Sequence, residues 1–174
     1  MIMESDEHVH YPRWYLGLAL CCLGFVWITA QRMPATVASH FDAAGAVNGF
    51  MPRNIYELLM FGILVVVSFT LVVVPNHLFN ASGARINLPN REYWLAPERR
   101  AATIAILASQ VTRFASMVLL FLCYVHWLVV RANDVTPPHL SSPGIKIGLT
   151  VFLFGTLIWV VSLVWRFRRT PPIV

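Results

Sequence analysis

Four long apolar runs alternate with polar segments along the chain. They cover residues 14–30, 58–74, 114–130 and 147–165, and none contains Asp, Glu, Lys or Arg. As helices, runs of this length span roughly 26–29 Å at about 1.5 Å per residue. Because a bilayer core is about 30 Å thick, each run predicts a membrane-spanning helix that flanking polar residues extend at its ends.

Local signals at the ends of the runs refine these helices. Asn54 and Glu57 have the spacing of a capping box that opens the second helix. Pro75 indicates that this helix ends or kinks there, and Pro97 followed by Glu98 is typical of a first helical turn. We therefore predict an all-α, polytopic integral membrane protein with four transmembrane helices.

The composition agrees with a chain that lies mostly in lipid. Of its 174 residues, 57% are hydrophobic and only 12% are charged, whereas an ordinary soluble chain is about 25% charged. Such a chain has too few polar groups to cover a soluble surface, and its hydrophobicity excludes intrinsic disorder. Cys21, Cys22 and Cys123 lie within apolar runs, so we expect no disulfide framework.

The positions of the basic residues predict the orientation of the helices. The net charge is +5, but the basic residues flank the apolar runs, which is typical of membrane boundaries and excludes a nucleic-acid partner. Lys and Arg number nine in the termini and second loop and four in the other two loops, which places both termini in the cytoplasm.

The predicted segments are a cytoplasmic tail (1–13), a membrane domain (14–130) with helices at 14–31, 55–75 and 98–130, an outer loop (32–54), a cytoplasmic loop (76–97), a second outer loop (131–146), and the fourth helix with its cytoplasmic tail (147–174).

The first outer loop contains more structure than a connector requires. Asp42 and Gly45 fit a type I turn, Asn48-Gly49 is a second turn signal, and the alternation over residues 37–41 indicates a short extended piece. In an extended segment, His40 and Asp42 lie on the same face. These two side chains could bind a ligand or a metal, relay protons, or hydrogen-bond the loop into shape.

The loop also resembles a known family. Its residues read Met33-Pro34-x-x-Val37-x-x-His40-Phe41-Asp42-x-x-Gly45-x-x-Asn48-Gly49. This is similar to the signature L-P-x-x-[VI]-P-x-H-[FW]-[DN]-x-x-G-x-P-[DN]-[GR] of the bacterial membrane domain of unknown function 1648, shared with SdpI-like toxin-immunity proteins. The sequence departs from it at Met33, Ala38 and Val47. The resemblance implies a small multi-pass protein of the bacterial plasma membrane, with no established activity.

The candidate residues fall into three groups. The first holds a ligand or structures the loop, and comprises His40, Phe41, Asp42, Gly45, Asn48 and Gly49. Its possible partners on the outer side are Glu57 and His126, the latter a polar residue near the end of an apolar run. The third group is a cytoplasmic segment similar to a motif in short members of the family, with Asn87, Pro89, Asn90, Tyr93, Trp94, Arg99 and Arg100. Attraction to lipid headgroups explains these arginines, with docking of a cytoplasmic regulator as the alternative.

No motif of a zinc protease, nucleophile elbow, dinucleotide fold or phosphate-binding loop occurs in the sequence. We therefore favour recognition of an extracytoplasmic peptide, toxin or envelope component over catalysis, and expect no metal or cofactor. A metal-assisted enzyme using His40, Asp42 and His126 is one alternative. Another is an accessory transporter subunit that packs through small residues of the fourth helix, such as Gly148 and Gly155. The oligomeric state stays open.

Overall fold

A computed structural model of the chain describes residues 13–80 and 86–169 and is mostly helical. Residues 1–12 of the predicted tail, Arg85 with the rest of 81–85, and residues 170–174 lie outside the described residues. The elements in chain order are α1 (Arg13–Ala30), β1 (Thr36–Phe41), β2 (Val47–Pro52), α2 (Arg53–Ser68), a π-helical segment (Phe69–Val73), α3 (Val74–Asn80), α4 (Arg91–Trp94), α5 (Pro97–Asn133) and α6 (Ser142–Arg168).

Four helical stretches are long and apolar enough to cross a membrane. They are Arg13–Ala30, Arg53–Phe79, Pro97–Asn133 and Ser142–Arg168. This confirms the prediction of four helices able to span a membrane, as expected of a multi-pass membrane protein. The third stretch has 37 residues, about 55 Å of helix, so it extends well beyond a bilayer core of about 30 Å.

The start of α2 differs from the prediction. The helix begins at Arg53 with Pro52 as its N-cap, and no side chain caps it. The backbone N–H of Arg53 donates to the carbonyl of Ala35 at 2.9 Å, which joins the helix start to the strand region before it. The predicted capping box of Asn54 and Glu57 is therefore wrong, because the preceding hairpin fixes where the helix begins.

Pro75 does not end its helix. The π-helical segment Phe69–Val73 lies directly before it, and α3 continues to Asn80. Proline removes one backbone donor and its ring clashes with the carbonyl four residues earlier. The wider π-helical turn at that point accommodates the proline without interrupting the span.

The core lies where α1, α2 and α5 meet, around fully buried side chains such as Val26, Ala115 and Leu119. In contrast, α6 packs along α5, and Phe167 is its only buried residue. Gly148 faces the ring of Tyr124 and Gly155 faces Met117, so these glycines allow α6 to approach α5 within the chain. The apolar surface of α6 that remains exposed is the surface that lipid would cover.

The segment between α1 and α2 forms a two-stranded antiparallel hairpin in which Val37 pairs with Met51 and His40 with Gly49. The residues that the structure describes are thus mostly helical, and this hairpin is longer than the short extended piece predicted. The carboxyl ends of α1 and α5 and the amino ends of α2 and α6 meet around it. We call this the hairpin end of the molecule, and the opposite end the basic end.

Candidate functional site

Asp42 closes the turn of the hairpin. Its Oδ1 accepts hydrogen bonds from the backbone N–H groups of Ala44 and Ala46, both at 2.9 Å. The backbone N–H of Asp42 donates to the carbonyl of Ala46 at 2.9 Å, and that of Gly45 donates to the carbonyl of Asp42 at 3.0 Å. An aspartate that bonds the backbone ahead of it stabilises a turn. Among the roles open to Asp42, the structure thus shows that of structuring the loop.

Gly45 docks this turn onto the segment before α6. Its φ of 93° lies in the left-handed region, and a Cβ there would overlap the carbonyl oxygen of Leu140. The N–H of Leu140 donates to the carbonyl of Gly45 at 2.9 Å, and Ser142 Oγ donates to the carbonyl of Ala44 at 2.8 Å. Only glycine combines this conformation with such a close approach.

Asn133, in the last turn of α5, joins the hairpin to the bundle. Its Nδ2 donates to the carbonyl of Ala38 at 3.0 Å, and the N–H of Ala38 donates to its Oδ1 at 2.9 Å. Nδ2 also donates to the carbonyl of Val129 at 2.9 Å. The side-chain amide therefore pairs with β1 as a neighbouring strand would, and Ala38 is fully buried beneath it.

Arg53 and Glu57 join the hairpin to α1 and α2. Arg53 Nη1 donates to the carbonyls of Gln31 at 3.3 Å and Met33 at 3.0 Å. Gln31 Nε2 donates to Glu57 Oε1 at 2.9 Å, and Arg53 Nε lies 3.9 Å from the same oxygen. Glu57, named from the sequence as a possible partner of the hairpin residues, ties the end of α1 to the start of α2.

His126 is buried between three helices. Its Nε2 lies 2.8 Å from Thr29 Oγ1 and its Nδ1 lies 2.9 Å from the hydroxyl of Tyr56. Thr29 Oγ1 donates its proton to the carbonyl of Phe25 at 2.6 Å, so it accepts from His126 Nε2. Nδ1 is then the acceptor for Tyr56, and one neutral tautomer satisfies every polar group in this cluster.

The predicted set of His40, Asp42 and His126 does not form a shared site. His126 bonds Thr29 and Tyr56, Asp42 bonds its own turn, and Nδ1 of His40 lies 2.9 Å from Ser39 Oγ. Within residues 13–80 and 86–169, no three His, Cys, Asp or Glu side chains come together to hold a metal ion.

What the hairpin presents is a small exposed surface. His40 and Asn48 are exposed, and Phe50 keeps 60% of its surface accessible. Gly49 lies opposite His40, where a Cβ would come within 3.0 Å of the Cβ of His40, so glycine makes room for the imidazole. Phe41 packs against the core. We call His40, Asn48 and Phe50 the hairpin surface.

The segment predicted as a cytoplasmic motif holds the end of α6. Asn90 Nδ2 donates to the carbonyls of Phe167 at 3.2 Å and Arg168 at 2.9 Å, and Trp94 Nε1 donates to that of Phe167 at 2.9 Å. The Trp94 and Phe167 rings meet edge to face, with centroids 5.2 Å apart. The last carbonyls of a helix lack partners within it. Asn90 and Trp94 supply them, and we call this contact the α6 clamp.

Other residues of this motif support the clamp or lie exposed. Arg99 Nε donates to the carbonyl of Tyr93 at 2.8 Å, and its guanidinium carbon lies 4.1 Å from the centroid of the Tyr93 ring. Arg100 is half-buried, whereas Asn87 and Pro89 are exposed. The motif thus has an internal structural role that its sequence did not reveal.

Sequence reasoning missed Asn133, Thr29, Tyr56 and Gln31. Asn133 was within the predicted outer loop, and its only signal was a polar amide shortly after an apolar run. Nothing in the order of residues indicated its pairing with Ala38, 95 positions away.

Comparison with known proteins relates one segment of the chain to a family of unknown function. Residues 17–66 match the family model described as Domain of unknown function (DUF1648). No curated protein and no solved structure gives a significant match. The matched segment contains most of α1, the whole hairpin and nearly all of α2, and it ends before His126, Asn133 and the α6 clamp. This segment, under a third of the 174 residues, is similar to the DUF1648 family.

Proposed function

We propose that this protein is a membrane recognition protein whose hairpin surface binds an extracytoplasmic peptide, toxin or envelope component, in an immunity or sensing role. The proposal includes residence in the plasma membrane of a bacterium, with both termini in the cytoplasm and the hairpin outside. The excess of Lys and Arg on the side of the termini supports this orientation. The similarity of residues 33–49 to SdpI-like toxin-immunity proteins supports the role.

One observation carries the proposal. The hairpin is fixed to the bundle by several contacts, yet some of its side chains are exposed. Asn133, Arg53 and Gly45 each fix the hairpin to a different helix or loop. Phe50 nevertheless stays 60% exposed, in the same hairpin as the exposed polar residues His40 and Asn48. A rigid scaffold that presents an exposed aromatic side chain and exposed polar side chains suits recognition, because little conformational entropy is lost on binding.

The direct test uses a photo-crosslinking amino acid in place of Phe50 in living cells. We expect adducts with a polypeptide or envelope component at this position. The same probe in place of Phe154, an exposed residue in the middle of α6, is the control and should give lipid adducts alone. Lipid adducts alone at position 50 as well would show that Phe50 is an interfacial anchor, and would overturn the proposal.

A second test asks whether the surface protects cells. His40→Ala and Phe50→Ala should raise sensitivity to the toxin or envelope stress against which the wild-type protein protects. Protein levels must stay normal, which is expected because neither side chain is buried. Wild-type protection by both variants would count against recognition through this surface.

A further inference from the structure

A cleft of about 850 Å³ opens at the basic end between α5 and α6. Its lining includes Arg166, Arg168 and Arg169, together with Gln110, Ser162 and Trp165, and it contains no acidic residue. Trp94 closes one side, where its indole N–H is already bonded to the carbonyl of Phe167. The cleft is therefore rigid at the clamp and strongly positive along the end of α6.

The three guanidinium groups of the cleft have no ion-pair partner among residues 13–80 and 86–169. The two ion pairs found there join Arg53 to Glu57 and Arg131 to Asp134, both at the hairpin end. Glu92 and Glu98, the nearest acids in the sequence of the basic end, are exposed and outside the lining of the cleft. Three cations without ion-pair partners in the lining of one cleft create a positive potential that attracts anions.

The geometry of the cleft suits phosphate. The guanidinium carbon of Arg169 lies 3.6 Å from the centroid of the Trp165 ring, which orients the group while leaving its N–H edge available. The side chains of Gln110 and Ser162 form no hydrogen bond within the described part of the chain, so both can donate to a ligand. Arginine forks, an amide and a hydroxyl together match the several acceptor oxygens of a phosphate group.

The depth of the cleft identifies the source of the phosphate. The apolar run at residues 147–165 spans about 28 Å and matches the hydrocarbon core. Arg166 to Arg169 follow it immediately, at the level of the headgroups, and Trp165 lies at the interface where tryptophan is enriched. We propose that this cleft binds the phosphate headgroup of an anionic phospholipid, independently of whatever the hairpin surface recognises.

The test measures lipid retention on the full chain, purified in a neutral detergent, by native mass spectrometry during titration with phosphatidylglycerol. We expect one tightly retained lipid, with at least tenfold weaker retention in the triple variant R166Q/R168Q/R169Q. The matched control R91Q/R100Q/R113Q removes the same charge from the same end and should retain the lipid as the wild type does. Equal weakening in both variants would show general electrostatic attraction and overturn the proposal.

Two further measurements complete the test. The first compares possible sources of the phosphate, and the second controls for effects of the substitutions on folding. Phosphatidylcholine and inorganic phosphate should each bind at least tenfold more weakly than phosphatidylglycerol, and equal binding of either would contradict an anionic-lipid site. Ser162→Leu narrows the cleft with every arginine in place, and it does not disturb a core contact because Ser162 is exposed. It should also weaken retention tenfold, and full retention by this variant would overturn the location of the site.

Discussion

The side-chain amide of Asn133 pairs with both backbone polar groups of Ala38, donating to its carbonyl at 3.0 Å and accepting from its N–H at 2.9 Å. An edge strand normally leaves such groups to water or to another strand. Here a helix terminus satisfies them, and the hairpin becomes part of the bundle.

Asn133→Ala should loosen the hairpin without unfolding the helices. In the variant, the buried N–H and carbonyl groups of Ala38 lose their hydrogen-bond partners. This loss lowers the stability of the folded hairpin by about 1–3 kcal/mol. Hydrogen exchange at residues 36–41 should accelerate by tenfold or more. Asn48→Ala, which alters an exposed amide of the same hairpin, is the control and should leave exchange unchanged. Unchanged protection in Asn133→Ala would refute the role given to this amide.

Gly45→Ala should destabilise the protein through both strain and overlap. A side chain at φ 93° is strained, which costs on the order of 1–3 kcal/mol, and the added Cβ meets Leu140. Gly24→Ala in α1 is the control, because nothing lies within 4 Å of its Cβ position. Thermal unfolding in detergent should show a lower midpoint for Gly45→Ala alone. Equal midpoints for both variants would contradict the docking of the turn onto Leu140.

Tyr56→Phe should weaken the contact between α2 and α5. It removes the hydroxyl that donates to His126 Nδ1, and interhelical hydrogen bonds in membranes contribute about 0.6–1.7 kcal/mol. Unfolding in a denaturing detergent should reveal a loss within that range. Tyr93→Phe, whose hydroxyl is not part of this cluster, should show none. A larger effect at position 93 than at position 56 would contradict the structural role of His126.

Asn90→Ala should free the carboxyl end of α6. Two helix-terminal carbonyls lose their donor, so local opening of residues 165–169 should become more frequent. Limited proteolysis after the arginines of this segment is the measurement, and cleavage should be several times faster than in the wild type. The control is Asn87→Ala, an exposed asparagine three positions earlier. Equal cleavage rates in the two variants would argue against the α6 clamp.

The sequence predicted the four helices well and the contacts of the hairpin only in part. The helices depend on local patterns of residues, whereas many of those contacts join residues far apart in the chain. The length of an apolar run is set by the thickness of the bilayer, so residues 147–165 indicate a span without any knowledge of their neighbours. The turn at Asp42 and Gly45 was also predictable, because it depends on residues next to one another. The bond from Gln31 to Glu57 was not predictable, because it crosses between α1 and α2.

The partners of His126 and Asn90 were likewise not predictable from the sequence. Thr29 lies 97 positions from His126, and Phe167 lies 77 positions from Asn90. Such pairs depend on how the helices pack, which no local pattern of residues reports. The same distance in sequence explains why the sequence did not indicate the bonds from Asn90 and Trp94 to the end of α6.

Recognition through the hairpin requires the hairpin and the basic end to lie on opposite sides of the membrane. Single cysteines in place of Asn48 and Asn87, in a chain whose Cys21, Cys22 and Cys123 are replaced by alanine, make this measurable with a membrane-impermeant maleimide. We expect the cysteine at position 48 to be labelled in intact cells, and the cysteine at position 87 only after the membrane is permeabilised. Labelling of position 87 but not position 48 in intact cells would contradict the account.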